Sequence, residues 1–433
     1  MIEILNILVI ALIFGLTLVA PINLSIVKIK KLNIVNYASF NLVINLNILL
    51  LVSFLPIKIA LVTKIYLFFY LILFFKYYIK ELNFENSKKI VQIIYPYVLI
   101  FLILSTSIAS KLELGWDAKY FYYIKMLYYD NGQFFSALNE FDENKWHPHF
   151  GSYLWAFFAN TSPLKLEYAG RLYYLFICIF MFTFVTLKDL RRPELANTII
   201  LLVIVSVFYQ YQRFSGLQEI LIFVLLGIAS KYLYLIEIEK KKEVYLYVVF
   251  IANILVWVKS EGLIYSIILA LLLISLKNLP KHNKVIAFGL IIFSILAKSI
   301  IHSFFEFNLN AQPHYNLEYI FSLKFNEIIF SVLNITPWLL FYISNNLFYL
   351  LGLFLLCIFK YSKIEKDYLK LIFIYLILNI GFIYSAYIFR EMELILAIKT
   401  TLERIVFSGS GFYVFFVLCY LKNYLSKYSK KII

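Results

Sequence analysis

Residues 245–275 read YLYVVFIANILVWVKSEGLIYSIILALLLIS, two apolar runs interrupted by one polar triplet, Lys259-Ser260-Glu261. Each run approaches the roughly 20 apolar residues that cross the hydrocarbon core of a bilayer. The triplet between them is long enough only for a tight turn at the membrane surface. The stretch therefore predicts two consecutive membrane spans, near 243–258 and 262–277.

The whole chain has the same character. Hydrophobic residues make up 63% of its 433 positions and charged residues only 15%, whereas about a quarter of the residues in a soluble domain are charged. We therefore predict one all-α integral membrane domain over residues 1–433, a polytopic helical bundle whose first span is retained rather than cleaved as a signal peptide. Hydropathy and charge together fit about thirteen spans, near 3–24, 37–57, 60–79, 90–110, 168–187, 195–211, 216–236, 243–258, 262–277, 284–304, 335–359, 368–389 and 405–422.

The net charge of +15 is distributed as in a membrane protein rather than as in a nucleic-acid-binding protein. Lys and Arg gather in short loops between alternate spans, for example at 28–31 and 240–242, and the positive-inside rule assigns such loops to the cytoplasmic side. This predicts a multi-pass protein of the cytoplasmic (inner) membrane, with its N-terminus outside, its C-terminus inside and no nucleic-acid partner. The three cysteines lie inside apolar runs, so neither a disulfide nor a zinc site is predicted.

Two long segments then fall on the extracytoplasmic side, at 110–168 and 305–334, and a shorter one at 390–404. The first contains the apolar piece 153–159, which is too short to cross a bilayer. We expect it to form an interfacial helix lying on the membrane surface.

The first outer loop also holds the densest cluster of polar and aromatic residues in the chain. A carboxylate between aromatic residues at the membrane surface, such as Asp117 beside Trp116, can act as a general base toward a hydroxyl or an amine. Aromatic rings also suit the apolar faces of sugars, and Tyr123 and Lys125 follow on the same segment. The alternative is that Trp116 and the tyrosines form an interfacial belt around a solvated aspartate.

Two histidines of this loop, His147 and His149, occupy alternate positions and could share a metal ion. Pro148 lies between them, however, and only Asp142 and Glu143 are nearby to complete a ligand set. We therefore predict no metal site and expect the histidines to contact substrate or to stabilise the loop.

Isolated charges at the outer ends of spans form the second group of candidates. Lys259 and Arg404 are placed where a lipid-linked phosphate would lie, and a lone charge at that depth is costly without a purpose or a partner. Their alternatives are ion pairs, Lys259 with Glu261 and Arg404 with Glu403. Glu219, before another span, would on its plainest interpretation cap a short turn.

Five segments, in this order along the chain, resemble motifs of bacterial GT-C glycosyltransferases related to the dolichyl-phosphate-mannose protein mannosyltransferases. They are GWDAKYFYYIKMLYY (115–129), HPHFGSYLWAFF (147–158), RFSGLQEI (213–220), WVKSEGLIY (257–265) and TTLERIVF (400–407). The resemblance implies a GT-C-like bundle in which an aspartate of the first large outer loop, here Asp117, is the catalytic acid/base. It also implies a reaction without metal or cofactor. This chain departs from the pattern in placing four spans before that loop, Glu219 in place of Asp, and Ser260 in place of Asn.

These observations predict an inverting glycosyltransferase that moves a sugar from a polyprenyl-phosphate donor to a glycan, lipid or protein acceptor of the cell envelope. Asp117 would be the base, and Lys259 and Arg404 would hold the donor phosphate. The sugar and acceptor sites would be lined by Trp116, Tyr123, Lys125, His147, His149, Glu219 and Glu261. Two alternatives share the topology: an envelope polysaccharide polymerase or ligase, and a lipid-linked sugar flippase or transporter without chemistry.

Overall fold

The computed structural model describes residues 5, 9, 34–77, 95, 97–105, 113–140, 147–161, 167–186, 214–307, 317–358, 363–390 and 393–432. Within these ranges the secondary structure is entirely helical, which confirms the all-α prediction. The chain forms two compact units: unit 1 comprises 1–140, 148–224 and 418–433, and unit 2 comprises 141–147 and 225–417.

Unit 1 is built around the first outer loop and the helices on either side of it. Its α-helices are α1 (Ile34–Val52), α2 (Ile59–Tyr77), α3 (Tyr123–Asp130), α4 (Phe150–Thr161), α5 (Glu167–Thr186) and the first residues of α6 (Glu219–Glu237). A π-helical turn, Ala118–Tyr122, leads directly into α3, and a 3-10 helix, Phe135–Glu140, follows it. The described part of the predicted loop, 113–140 and 147–161, is therefore largely helical.

Helix α4 confirms the predicted short helix at 153–159 but corrects its expected place on the membrane surface. It packs against α2, α3 and α5, and every one of its residues except Asn160 is buried. Its sequence, FGSYLWAFFANT, has no charged residue and hence no strongly polar face to turn toward water. A helix that is apolar on all sides is buried rather than interfacial, so α4 forms the core of unit 1.

Unit 2 contains the hairpin with which the sequence analysis began. Its helices after α6 are α7 (Tyr245–Val258), α8 (Ser260–Ser275), α9 (Lys281–Phe304), α10 (Leu317–Ser322), α11 (Phe325–Ser344), α12 (Leu347–Ile358), α13 (Lys363–Ile388), α14 (Leu394–Ala397) and the first half of α15 (Glu403–Ile432), whose second half, from residue 418, is assigned to unit 1. A second π-helical turn, Ile398–Leu402, joins α14 to α15. Helices α7 and α8 pack against each other, and α9 packs against both.

The described helices support the prediction of a membrane protein in its coarse form. Five are long and apolar enough to cross a bilayer: Glu219–Glu237, Lys281–Phe304, Phe325–Ser344, Lys366–Ile388 and Leu394–Leu421. Shorter apolar helices coincide with other predicted spans, at Ala38–Val52, Ile59–Ile72, Gly170–Val185 and Ser260–Ser275, and a further short apolar helix is Leu347–Cys357. The predicted span at 195–211 and nearly all of that at 3–24 lie outside the described residues. The total of thirteen and the orientation stay predictions.

One predicted span, 335–359, is wrong. Helix α11 begins ten residues earlier, where the Lys324 amide donates to the Glu327 carboxylate (2.9 Å). The helix ends at Ser344, and Asn346 starts a new one, because its side-chain oxygen accepts the Tyr349 amide (3.1 Å) as an N-cap. The last ten residues of the predicted second outer loop, 325–334, are therefore helical.

Candidate functional site

In unit 1, Asp117 stands immediately before the first π-helical turn, Ala118–Tyr122, and is half-buried. Such turns are rare and are frequently found at functional sites. The rings of Trp116 and Tyr120, which are one and three residues from Asp117 in the sequence, have their centres 5.1 Å apart, and both residues are largely exposed, at 67% and 47%. Exposed aromatic residues close in sequence to a carboxylate fit the sugar-binding interpretation. They fit the interfacial belt equally well, because the aromatic residues of such a belt are also exposed.

The backbone around Asp117 is held by a segment about a hundred residues away. The Gly115 amide donates to the Ser215 carbonyl (2.9 Å). Gly216 follows with φ +89, and a Cβ there would lie 2.9 Å from the Cβ of Ala118 and 2.6 Å from the Trp155 ring. Only glycine fits this left-handed conformation and this close approach. Two of the segments that carry the resemblance, 115–129 and 213–220, are thus brought into contact.

The same segment is anchored to α4 through Gln218, whose side chain is fully buried. Its amide donates to the hydroxyl of Tyr174 on α5 (3.1 Å), and that hydroxyl donates to the Gly151 carbonyl (3.2 Å). A Cβ on Gly151 would lie 1.7 Å from the Gln218 side chain. The sequence analysis missed Gln218 and Tyr174, although polar groups next to glycines in apolar surroundings were an available signal.

Arg171, also missed by sequence reasoning, is 2% exposed on α5. Its guanidinium donates to the Glu113 carbonyl (3.2 Å), which lies just before Gly115. A buried arginine therefore holds the backbone that leads to Asp117.

The other predicted residues of unit 1 lie deeper than Asp117. Tyr123 is half-buried at the start of α3, with its ring 5.7 Å from that of Trp155. Lys125 and Glu219 are buried, at 2% and 3% exposure. Glu219 is the first residue of α6, where a carboxylate interacts favourably with the helix dipole, so the structure supports its interpretation as a cap.

His149 occupies the interior of unit 1. It is 2% exposed, and its Nε2 lies 2.7 Å from the hydroxyl of Ser53 on the chain just after α1. The centres of the Phe54 and Phe135 rings lie 5.0 and 4.5 Å from the centre of the His149 ring. These contacts identify His149 as a residue that ties the loop to the first helices, and a substrate contact stays a prediction.

Two tyrosines next to His149 are held neutral by their surroundings. Burial raises the pKa of Tyr129 well above its usual value, and neighbouring Tyr153 raises it further. Burial also raises the pKa of Tyr153. Their rings lie 5.0 Å apart, edge to face. Neither phenol is suited to act as a base.

A metal site receives no support from the described residues, which contain no group of three or more His, Cys, Asp or Glu that could hold an ion. His147 is half-buried and belongs to unit 2. Asp142 and Glu143, the other ligands considered, lie outside the described residues.

In unit 2, the candidate residues Lys259 and Glu261 form the junction between α7 and α8. Lys259 is extended (φ −157, ψ 161), which interrupts the helix for one residue. Its Nζ lies 3.0 Å from Oε1 of Glu261, with side-chain exposures of 7% and 23%. The ion pair considered from the sequence is therefore present. Oε2 of Glu261 is buried and has no hydrogen-bond partner among the described residues, so its capacity to accept a hydrogen bond is unused there.

Helix α9 brings two further basic residues to the end of α7. Lys298 donates to the Val256 carbonyl (3.0 Å) and lies 5.9 Å from the centre of the Trp257 ring. The His302 ring lies 5.6 Å from the same ring. Sequence reasoning missed both, although basic residues four positions apart in an apolar run are a recognised sign of function.

Arg404 is half-buried and is the second residue of α15, directly after the second π-helical turn. Within that turn the Thr401 hydroxyl is bonded to the hydroxyl of Tyr387 on α13 (2.7 Å). Both π-helical turns of the described chain thus lie within two residues of a charged residue selected from sequence, Asp117 in unit 1 and Arg404 in unit 2.

Comparison of the chain with models of known protein families, with curated proteins and with solved structures found no match.

Proposed function

We propose that the chain is an inverting glycosyltransferase that takes a sugar from a polyprenyl-phosphate donor on the extracytoplasmic side of the membrane and attaches it to a hydroxyl or amine of a cell-envelope acceptor. One observation carries the proposal. Asp117 is partly exposed and is next in sequence to the largely exposed Trp116, while the backbone that carries it is fixed by Ser215, Gly216 and the buried helix α4. A base must be held in place and still be reachable by its substrate.

In the proposed reaction Asp117 accepts the proton of the acceptor hydroxyl while the oxygen of that hydroxyl attacks the anomeric carbon. The bond from the anomeric carbon to the phosphate oxygen breaks, and polyprenyl phosphate leaves with the electron pair. Attack from the opposite face inverts the anomeric configuration. Trp116 would stack against the apolar face of a sugar.

Cations would stabilise the negative charge that grows on the departing phosphate. A lysine ammonium has three donors, so Lys259 can bond a phosphate oxygen while it keeps its bond to Glu261. Arg404 would add a planar pair of donors that suits two phosphate oxygens. Oε2 of Glu261 would accept a hydrogen bond from a sugar hydroxyl. In the ion pair, Lys259 would thus bind the phosphate and Glu261 would bind the sugar.

The test uses the purified full chain in nanodiscs with a panel of polyprenyl-monophosphate sugars and a membrane extract as the source of acceptor. Release of polyprenyl phosphate is measured by mass spectrometry. Wild type should consume at least one donor, and Asp117→Asn should lose most of the roughly 10² to 10⁴ in rate that a general base supplies. Glu140→Gln, which changes an exposed carboxylate of the same loop, is the matched control and should behave as wild type.

Two results would contradict the proposal. Retention of more than a tenth of the wild-type rate by Asp117→Asn would exclude it as the base. Movement of intact donor lipid across a bilayer, with no polyprenyl phosphate released, would identify a flippase instead.

A further inference from the structure

The junction between α7 and α8 leaves backbone groups that need partners. Because Lys259 is extended, α7 stops at Val258, and the last four carbonyls of a helix have no partner within it. Val256 and Val258 are buried within the protein, and a backbone carbonyl that is buried away from water without a partner is costly. Something outside α7 must therefore hold its end.

Lys298 supplies that partner from α9. Its ammonium donates to the Val256 carbonyl (3.0 Å), one of those last four, and lies 5.9 Å from the centre of the Trp257 ring. A cation there also meets the negative end of the α7 dipole. Only four residues of α9 are buried, Ala287, Ile291, Lys298 and His302, so a charged side chain takes one of the few positions that face the protein.

Close backbone packing completes the junction. A Cβ on Gly262 would lie 2.0 Å from the Leu255 carbonyl oxygen, so only glycine allows α8 to pass so near the end of α7. Further along the hairpin, the Ser266 hydroxyl donates to the Ala252 carbonyl (2.7 Å). The direction in which Lys259 and Glu261 leave the junction is thus set by Gly262 on one side and by Lys298 on the other.

We propose that Lys298 is a positioning residue: it fastens the end of α7 and thereby aims the Lys259–Glu261 pair at the donor phosphate. The proposal rests on the proposed function, which assigns that pair its ligand. Lys298 acts through Lys259 and does not touch the phosphate.

A double-mutant cycle tests this relation, because a residue that acts through another adds nothing once the other is gone. The probe is undecaprenyl phosphate, and its affinity for the purified full chain in nanodiscs is measured by native mass spectrometry. Lys259→Ala and Lys298→Met should each weaken binding about tenfold or more, the range of a charge-assisted hydrogen bond. The double variant should bind within about twofold of Lys259→Ala alone. Lys281→Met, an exposed lysine of α9, is the control and should bind as wild type.

Each other outcome has a distinct meaning. Multiplying effects in the double variant would show that Lys298 acts independently of Lys259, which overturns the positioning role. Wild-type affinity in Lys298→Met, with weakened binding in Lys259→Ala, would overturn the inference and leave the proposed function standing. Absence of binding by wild type would overturn both.

A second variant covers the case in which Lys298→Met does not fold. Gly262→Ala disturbs the same junction without removing a charge. It should weaken the binding of undecaprenyl phosphate when it is made in the wild-type chain, but not when it is added to Lys259→Ala. Lys298→Arg keeps a cationic donor for the Val256 carbonyl and should recover most of the affinity. Wild-type affinity in Gly262→Ala would contradict the positioning account.

Discussion

Replacement of Gly216 by alanine is the sharpest test of how the Asp117 loop is held. An L-residue in the left-handed conformation of Gly216 (φ +89) costs about 1–2 kcal/mol. The new Cβ would also lie 2.6 Å from the Trp155 ring and 2.9 Å from the Cβ of Ala118. Trp155 is fully buried, so its ring can move only by displacing its neighbours.

Overpacking of this kind costs about 1–3 kcal/mol. Alanine also lowers the conformational entropy of the unfolded chain, which stabilises the folded state by about 0.4–1 kcal/mol. The net expectation is a loss of about 1–5 kcal/mol in the free energy of unfolding. Because Ala118 follows Asp117, transfer should also fall at temperatures where the variant is still folded.

The chain offers matched controls for this variant. A Cβ on Gly289 or on Gly381 would meet nothing within 4 Å, and both lie inside helices, where alanine is about 0.5–1 kcal/mol more favourable than glycine. Thermal unfolding in detergent, followed by tryptophan fluorescence, should therefore show a lower midpoint for Gly216→Ala and an equal or higher one for both controls. Equal midpoints in all three variants would refute the proposed contact between residues 213–220 and the Asp117 loop.

Further expectations concern topology, the ion pair and the buried histidine. A cysteine at Asn139, with the three native cysteines replaced by serine, should react with a membrane-impermeant maleimide in intact cells or spheroplasts; labelling only after lysis would overturn the orientation. Lys259→Ala should lower the catalytic efficiency toward the donor about ten- to a hundred-fold, and that toward the acceptor less. If Lys259→Ala and Glu261→Gln lost equal stability and the dependence on donor did not change, the ion pair would have only a structural role. His149→Phe removes the bond to Ser53 and should lower the unfolding midpoint; a full-stability variant that lost only substrate affinity would instead make His149 a binding residue.

The sequence was most informative where hydropathy alone decides the structure. The two helices at 245–275 form where they were predicted and pack against each other, because a polar triplet interrupts two apolar runs. That they cross a bilayer stays a prediction. The break between α11 and α12 was missed because a hydropathy window averages over Asn345 and Asn346. The structure depends instead on what each residue does: Asn345 ends α11, and the side chain of Asn346 caps the start of α12. The burial of α4 was missed for a related reason, since a short apolar helix looks the same whether it meets lipid or protein.

The charged residues of the candidate site could be predicted from the sequence, but the residues that hold them in place could not. Asp117 and Lys259 were visible because charges among aromatic or apolar residues are unusual. The contact of Gly115 with Ser215 joins positions about a hundred residues apart, and no local pattern encodes it. Lys298 satisfies a carbonyl on another helix, which is likewise a property of packing and not of spacing.

The central claim is that the chain handles a lipid whose sugar is linked through a single phosphate, and identification of the copurifying lipid tests it most directly. The full chain, purified in mild detergent, is extracted and the lipids are identified by mass spectrometry, with Lys259→Ala purified in parallel. Wild type should carry a polyprenyl-monophosphate sugar or its product, polyprenyl phosphate, and the variant should carry markedly less. A polyprenyl-diphosphate glycan, or ordinary phospholipids alone in equal amounts on both proteins, would contradict the account.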